Sequence, residues 1–314
     1  MKKFLLDTVK FFLFTIAFYL LFLFLWGGIG PSYIKKNLNF KIGSKGHLFT
    51  RVREIPQFKN INILFVGSSR AYRGFDTRIY LKQNLACFNL GSSSQTPLQT
   101  EILLKRYLNS LNPKIVIYEV GPDIFEGDGV ESSLDLIAND KIDYESFRMA
   151  GEINNIKTYN AILYSSIRLS FNLDKNFKEK SPNRGETYIH GGYVETKLKF
   201  NDEIDDFENS MIEMNPNQVF HFERIVKSLL EKNIQVILVQ APIAKNRYSS
   251  YSNMAEIDNY FSKYQTYWNF NKILSLSDSI HFSDSHHLNQ NGDKLFNEKL
   301  IDLLIKNEII NPNE

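Results

Sequence analysis

The body of the chain alternates short apolar runs with segments of helical periodicity. Four runs are rich in large or β-branched residues and end near glycine, proline or small polar residues: 61–66, 86–91, 114–120 and 234–240. Between two of them, apolar residues recur at helical spacing from Leu98 to Leu108. Strands that alternate with amphipathic helices are typical of a mainly parallel sheet with right-handed crossovers and helices on both faces. The pattern therefore predicts an α/β fold.

The same pattern predicts the weaker elements and one interruption. Helices are expected at 77–84, from Pro97 to Pro113, at 218–232 and at 289–306, and a weak fifth strand near 273–276. Between 124 and 215 the alternation lapses, apart from helical fragments and a hairpin turn around 190–193. A stretch of that length is better explained by an inserted cap or subdomain than by one loop.

The amino terminus predicts a membrane anchor. No charged residue occurs from Phe11 to Ile34, and this is long enough to cross a bilayer core of ~30 Å as a helix. A cleaved signal peptide is the alternative, because three lysines precede the apolar block. The block is long for that role, and no A-x-A site follows it. We therefore expect a retained transmembrane anchor at 11–33.

The predicted domains follow from this anchor. Residues 1–10 form the cytoplasmic amino terminus, 34–60 a polar tether, and 61–310 an α/β domain with the insertion at about 124–215. Lysines just beyond the anchor weaken the positive-inside argument, but long carboxy-terminal domains are translocated despite such charges. We expect a single-pass protein of the cell membrane whose body is extracytoplasmic, either periplasmic or extracellular.

Composition excludes little except a nucleic-acid partner. A net charge of +2 on 37 basic and 35 acidic residues gives no electrostatic reason to bind nucleic acid. The single cysteine, Cys87, cannot form an internal disulfide, and it does not identify the compartment. No cofactor is implied.

Two distant segments carry candidate chemistry. Gly67-Ser68-Ser69 follows the first strand, where it is either an ordinary turn with a serine cap or the site of a nucleophile at a helix amino terminus. Asp284 precedes His287 by three residues near the other end of the chain, and a carboxylate so placed can orient the imidazole. Because both segments are expected at carboxyl ends of strands, Ser69 is a candidate nucleophile and Asp284 the orienting acid. The base is His287 or its neighbour His286, and only the family spacing given below selects His287.

At these residues the chain resembles the SGNH (GDSL-like) hydrolase superfamily. The first block, usually Gly-Asp-Ser, is matched by 67–69, the glycine of the second block by Gly91, and the last block, Asp-x-x-His, by Asp284 and His287. The resemblance implies a flavodoxin-like three-layer sandwich. It also implies that the backbone amides of Ser69 and Gly91 form an oxyanion hole.

Two positions depart from the superfamily pattern. Ser68 stands where aspartate is usual, and the third block, usually Gly-x-Asn-Asp, reads Gly121-Pro122-Asp123. An ionised Asp123 cannot donate a hydrogen bond to an oxyanion and would repel it. It contributes only if burial keeps it protonated or if it points elsewhere.

The blocks at 67–69, 91–98 and 121–125 are also similar to DltD-type proteins. Those are anchored partners of membrane-bound O-acyltransferases that acylate surface polymers. The resemblance implies a membrane-anchored serine esterase or O-acyltransferase that acts on acetyl-like esters of cell-envelope glycans. The alternative is a non-catalytic partner subunit of a membrane-bound O-acyltransferase.

Other candidates have simpler explanations beside the functional ones. Arg70 and Arg73 follow the serine and suit an anionic substrate, but a surface arginine paired with a carboxylate or solvent explains them equally well. A metal site at His281, Asp284 and 286–287 matches no zinc signature, so no metal is expected. Aromatic residues in 144–171 are expected to pack inside the cap.

Overall fold

The computed structural model describes residues 1–31, 33, 35, 38, 41–43, 45–201, 206–264 and 266–311. Its strands are β1 Ile63–Val66, β2 Cys87–Asn89, β3 Ile115–Glu119, β4 Glu186–Ile189, β5 Tyr193–Thr196, β6 Gln235–Gln240 and β7 Thr266–Asn269. The longer helices are α1 Lys2–Ile29, α5 Pro97–Leu111, α7 Val130–Asn139, α8 Tyr144–Ile153, α9 Ile156–Ser170, α10 Pro216–Glu231, α12 Met254–Phe261 and α15 Gln290–Lys306. The shorter helices are α2 Leu48–Glu54, α3 Ser69–Gly74, α4 Thr77–Leu81, α6 Asp123–Glu126, α11 Lys245–Ser250, α13 Phe270–Ile273 and α14 Asp278–His281.

Five of the strands form a wholly parallel sheet in the order β2-β1-β3-β6-β7. Counted along the chain within this sheet, the order is 2-1-3-4-5, which is the flavodoxin-like arrangement. Its central register pairs Ile63 with Ile115, and Ile115 with Gln235. The predicted α/β class and mainly parallel sheet are confirmed.

Helices cover both faces of the sheet. On one face, the ring centroids of Phe65 and Phe75 are 4.5 Å apart, and Phe75 lies 5.3 Å from Phe296 of α15. On the other face, the centroids of Tyr118 and Phe222 of α10 are 5.9 Å apart. Burial on both faces explains why β1 and β3 are continuous apolar runs rather than alternating patterns.

The fifth strand of the sheet is not where the sequence predicts it. Residues 270–273 form α13, and the edge strand is β7, directly before it. The side chain of Asn269 accepts a hydrogen bond from the amide of Asn271 and so caps α13. An edge strand is only half buried, so β7 lacks the continuous apolar run that reveals the central strands.

The hairpin predicted around 190–193 is present as β4 and β5, which pair antiparallel. Its turn contains Gly191 and Gly192, both with positive φ. A Cβ on Gly192 would lie 2.2 Å from the carbonyl oxygen of Asn89, so the turn packs closely against the end of β2.

The chain divides into two compact units. One unit contains 1–42 and 133–178, and the other contains 43–132 and 179–314 with the parallel sheet. The middle of the inserted segment therefore groups with the amino terminus. The predicted domain boundaries stay a prediction.

On length and composition, α1 alone among the described helices qualifies as a membrane span. It begins at Lys2 and ends at Ile29, so the helix starts before the predicted anchor at 11–33 and ends within it. The side of the membrane on which the body lies stays a prediction.

Candidate active site

The turn after β1 separates the roles of two neighbouring serines. Gly67 has φ +141°, and a Cβ there would lie 2.7 Å from the Cβ of Glu119, so only glycine fits. Ser68 is the N-cap of α3: its Oγ accepts from the amide of Arg70 at 3.4 Å and donates to Oε2 of Glu119 at 3.2 Å. The hydroxyl of Ser68 thus has a structural role in the turn, whereas Ser69 is the first residue of α3.

The structure brings Ser69 together with the two residues near the carboxyl terminus. Oγ of Ser69 lies 2.8 Å from Nε2 of His287, across 218 positions of sequence. Nδ1 of His287 lies 2.9 Å and 3.0 Å from the two carboxylate oxygens of Asp284. A serine, an imidazole and a carboxylate in this order form a proton relay. Their catalytic roles stay a prediction.

Asp284 is held as an anion by the loop before α15. Its Oδ1 accepts the backbone amides of His286 at 2.8 Å and of His287 at 2.9 Å. Burial alone would raise the pKa of Asp284, but these bonds and the one from the His287 ring outweigh it and hold the pKa well below its usual range. A permanent carboxylate fixes Nδ1 of His287 as the protonated nitrogen and leaves Nε2 free to accept the serine proton.

A cavity of about 430 Å³ opens beside Ser69 and His287. Most of its lining is polar or charged, with Ile124 as the one large aliphatic side chain. The polar lining consists of Ser68, Ser69, Arg70, Ser94, Thr96, Asp123, Asp128, Glu131, Ser132, His286 and His287. Glycines at 127 and 129 complete the wall. The cavity suits a ligand with many hydrogen-bonding groups.

Glu119 is a site residue that the sequence analysis missed. It is fully buried at the end of β3, where its Oε1 accepts the amide of Gly121 at 2.9 Å and lies 3.2 Å from Nε of Arg70. Burial raises the pKa of its carboxyl group. A charged residue inside the apolar run Ile-Val-Ile-Tyr-Glu-Val was the available signal, because glutamate is rarely buried without a partner.

Asp123 is directed at an arginine. The guanidinium of Arg70 donates from Nη2 to Oδ1 of Asp123 and so joins Asp123 to Glu119. Burial opposes ionisation, but the charge of Arg70 outweighs it and lowers the pKa of Asp123. Asp123 is therefore ionised, so the first condition, a carboxyl group kept protonated by burial, is not met. The second condition is met, because the Asp123 carboxylate points towards Arg70 and forms an ion pair with it.

Gly91 packs against the nucleophile turn. A Cβ at Gly91 would lie 3.1 Å from the carbonyl oxygens of Gly67 and Ser68, so a larger residue would push the turn away. Its amide donates to Oδ1 of Asn89 at 3.1 Å. Its role as an oxyanion donor stays a prediction and requires that amide to exchange Asn89 for the substrate.

The remaining candidates divide between the cavity and the scaffold. Arg73 donates to Glu186 and does not line the cavity, whereas Arg70 lines it while paired with two carboxylates. Substrate binding by either arginine stays a prediction. Burial lowers the pKa of His286, which also lines the cavity. In the described part of the chain, no group of three His, Cys, Asp or Glu residues could hold a metal ion.

Comparison with known proteins yields similar structures only. No protein-family model and no curated protein matches the sequence. A GDSL-like lipase from Bacteroides thetaiotaomicron is similar at 11% identity and TM-score 0.43, over 83% of this chain and 98% of that one. A candidate acylhydrolase from Bacteroides fragilis is similar at 12% identity and TM-score 0.42, over 84% and 98%. The fold and site of this chain stand on its own strand order and side-chain contacts.

Proposed function

We propose that this chain is a serine-dependent acyl hydrolase or acyltransferase of the SGNH type. The observation that carries the proposal is the contact between Oγ of Ser69 and Nε2 of His287, with Asp284 on the opposite ring nitrogen. A serine hydroxyl is a weak nucleophile until a base removes its proton, and these three residues provide the base and its orienting acid.

The proposed reaction has two halves. Ser69 Oγ attacks an ester carbonyl while Nε2 of His287 takes the hydroxyl proton, and the imidazolium then returns that proton to the leaving alcohol. The acyl group remains on Ser69. Water or a sugar hydroxyl, deprotonated by His287, attacks this second ester, and the proton returns to Ser69 as the acyl group leaves.

Few hydrogen-bond donors are free to stabilise the oxyanion that forms during the reaction. The amide of Ser69 lies in the first turn of α3, where backbone N–H groups have no acceptor within the helix. The amide of Gly91 is the second candidate. Loss of one oxyanion donor typically costs on the order of 10²–10³ in turnover. We therefore expect slow hydrolysis.

The proposed substrate is a short acyl ester on a cell-envelope glycan. Several residues with hydroxyl or carboxylate groups line the cavity, and such groups bind the hydroxyls of a sugar. Ile124 alone offers a large aliphatic surface, so an acetyl-like group fits better than a long chain. The length and apolarity of helix α1 support a membrane-anchored protein. We propose that its body lies outside the cytoplasm.

Hydrolysis of model esters tests this proposal. We expect the purified full chain to cleave acetyl esters and acetylated glycans faster than octanoyl esters, and Ser69→Ala to abolish the activity. Ser110→Ala is the matched control, because Ser110 is exposed and bonds only to the carbonyl oxygen of Tyr107. Full activity in Ser69→Ala would refute the proposal.

A second candidate is a non-catalytic partner subunit of a membrane-bound O-acyltransferase. Two observations favour it: the amide of Gly91 is occupied by Asn89, and Asp123 supplies a carboxylate where an amide donor is usual. This candidate predicts co-purification with a multi-span membrane protein. It also predicts that Ser69→Ala and His287→Ala restore polymer acylation in cells that lack the chain.

A further inference from the structure

The unit that contains α1 carries helices whose exposed side chains are large and apolar. In α8, Tyr144 is 77% exposed and Phe147 is 54% exposed. In and just after α9, Ile156 is 58% exposed and Phe171 is 71% exposed. Contiguous exposed apolar residues on a folded unit mark a surface that contacts lipid or a partner. This reverses the expectation that the aromatic residues of 144–171 pack inside a cap.

The arrangement of α9 favours lipid over water. Its buried face combines the apolar residues Ala161 and Ile162 with polar residues at helical spacing, Thr158, Ser165 and Arg168. Arg168 has partners there: its Nη2 donates to the carbonyl oxygen of Ala138 at 2.8 Å, and its Nε lies 3.8 Å from Oδ2 of Asp174. A water-facing helix has the opposite pattern, with polar residues outside. Polar residues turned inward and apolar residues outward are typical of helices in contact with a membrane.

The outward residues of α9 form one stripe. Ile156, Tyr159, Leu163 and Ile167 are spaced by three, four and four residues, so they lie on one side of the helix, and Phe171 continues the spacing. None of the five is classed with the buried core. We call these five residues the α9 stripe.

The edge of α9 beside this stripe contacts α1. Tyr19 donates to the side chain of Asn160, and the rings of Phe24 and Tyr164 stack with centroids 5.7 Å apart. Asn160 and Tyr164 each follow a stripe residue by one position, so they lie on the neighbouring face of the helix. Tyr19 and Phe24 both belong to the predicted span 11–33.

These contacts fix where the stripe must lie if α1 crosses the bilayer. Most large apolar side chains of α1 are exposed, as expected for a helix surrounded by lipid. A helix packed against α1 within the span shares that environment. We infer that the α9 stripe is a second membrane contact of this chain and lies among the lipid acyl chains and headgroups beside α1.

Basic residues near both ends of α9 support a lipid partner. Lys157 occupies the first turn, and Lys175 follows the helix by five positions. Lysines at the ends of an apolar surface reach the headgroup region and bind anionic lipids.

Site-directed fluorescence quenching tests the inference. The full chain is reconstituted into vesicles of phosphatidylcholine and phosphatidylglycerol, with an environment-sensitive fluorophore on Ile156→Cys or Phe171→Cys. The native Cys87 is buried and its thiol pKa is raised, so it does not compete for the label. Phe14→Cys in α1 reports bilayer insertion, and Lys227→Cys on α10, exposed in the sheet-containing unit, is the matched control.

We expect nitroxides on the lipid chains to quench the labels at 14, 156 and 171 several-fold more than the label at 227. Aqueous iodide should show the reverse order. Quenching at 14 with none at 156 or 171 would overturn the inference. If 156 and 171 are shielded from iodide but not reached by lipid nitroxides, the stripe contacts protein instead, and the inference is wrong. The circular dichroism spectra of the four labelled variants should match that of the unlabelled chain, which shows that each variant is folded.

Discussion

Substitution of Gly121 by alanine tests whether the ion pairs that join Glu119, Arg70 and Asp123 organise the cavity wall. A Cβ at Gly121 would lie 1.8 Å from Nη2 of Arg70 and 2.7 Å from Oε1 of Glu119. Both distances are far inside van der Waals contact. The guanidinium cannot yield easily, because it is buried, hydrogen-bonded to Asp123 and ion-paired with Glu119. Gly121→Ala should therefore displace Arg70.

The magnitude follows from what that displacement breaks. Inserting a methyl group into a packed core typically costs about 1–3 kcal/mol, and breaking a buried ion pair about 3–5 kcal/mol. We expect Gly121→Ala to lower the free energy of unfolding by about 3–5 kcal/mol. Arg70→Ala should cost a similar amount, because it leaves the buried carboxylate of Glu119 and the half-buried one of Asp123 without their cation.

The double variant separates this mechanism from general damage. Without the Arg70 side chain the added methyl crowds only Oε1 of Glu119, so Gly121→Ala/Arg70→Ala should be about 1–2 kcal/mol less stable than Arg70→Ala alone. That corresponds to a coupling energy of about 2–3 kcal/mol. Gly74→Ala is the control, since its Cβ meets only a ring atom of Phe296, at 3.7 Å. We expect it to be neutral or slightly stabilising.

Denaturant unfolding of the full chain in detergent measures these differences. Trp268 in β7 reports on the parallel sheet, and a Trp26→Phe background removes the signal of α1. Additive costs of Gly121→Ala and Arg70→Ala, or a Gly121→Ala variant as stable as Gly74→Ala, would refute this role of the ion pairs.

Three further predictions concern the triad, pH and the turn. Asp284→Asn should lower ester turnover by on the order of 10⁴-fold, because the imidazole of His287 loses its fixed tautomer. The free energy of unfolding should change little. Hydrogen bonds from His221 and Lys105 outweigh burial and lower the pKa of Glu101 from 4.5 to about 2. Ionised Glu101 should thus stabilise the folded chain fully above pH 4.5, and this stabilisation should be lost as the pH falls towards 2. The unfolding free energies of wild type and Glu101→Gln should therefore differ at neutral pH and converge at low pH. Gly67→Ala should abolish expression of folded chain, seen by limited proteolysis, since its φ and its contact with Glu119 both exclude a side chain.

The sequence predicts the central strands well because their burial is total. The runs at 61–66 and 114–120 contain β1 and β3 to within two residues, since strands covered on both faces need apolar residues throughout. The edge strand β7 has no such requirement, and so its position could not be read from apolarity.

The candidate site shows a similar division. Ser69 and His287 could be placed together because the carboxyl ends of parallel strands share one edge of the sheet. The pairing of Asp123 with Arg70 depends on where two side chains point after folding, which spacing does not encode. The grouping of 133–178 with α1 likewise arises from packing between segments more than a hundred residues apart.

Covalent labelling tests the central claim most directly. A fluorophosphonate reacts with a serine only when a base activates it, so mass spectrometry of the labelled full chain should find the adduct on the peptide containing Ser69. His287→Ala should lose the adduct, and the control Ser110→Ala should keep it. Labelling that is absent from the wild type, or that persists unchanged in His287→Ala, would contradict an activated serine at this site.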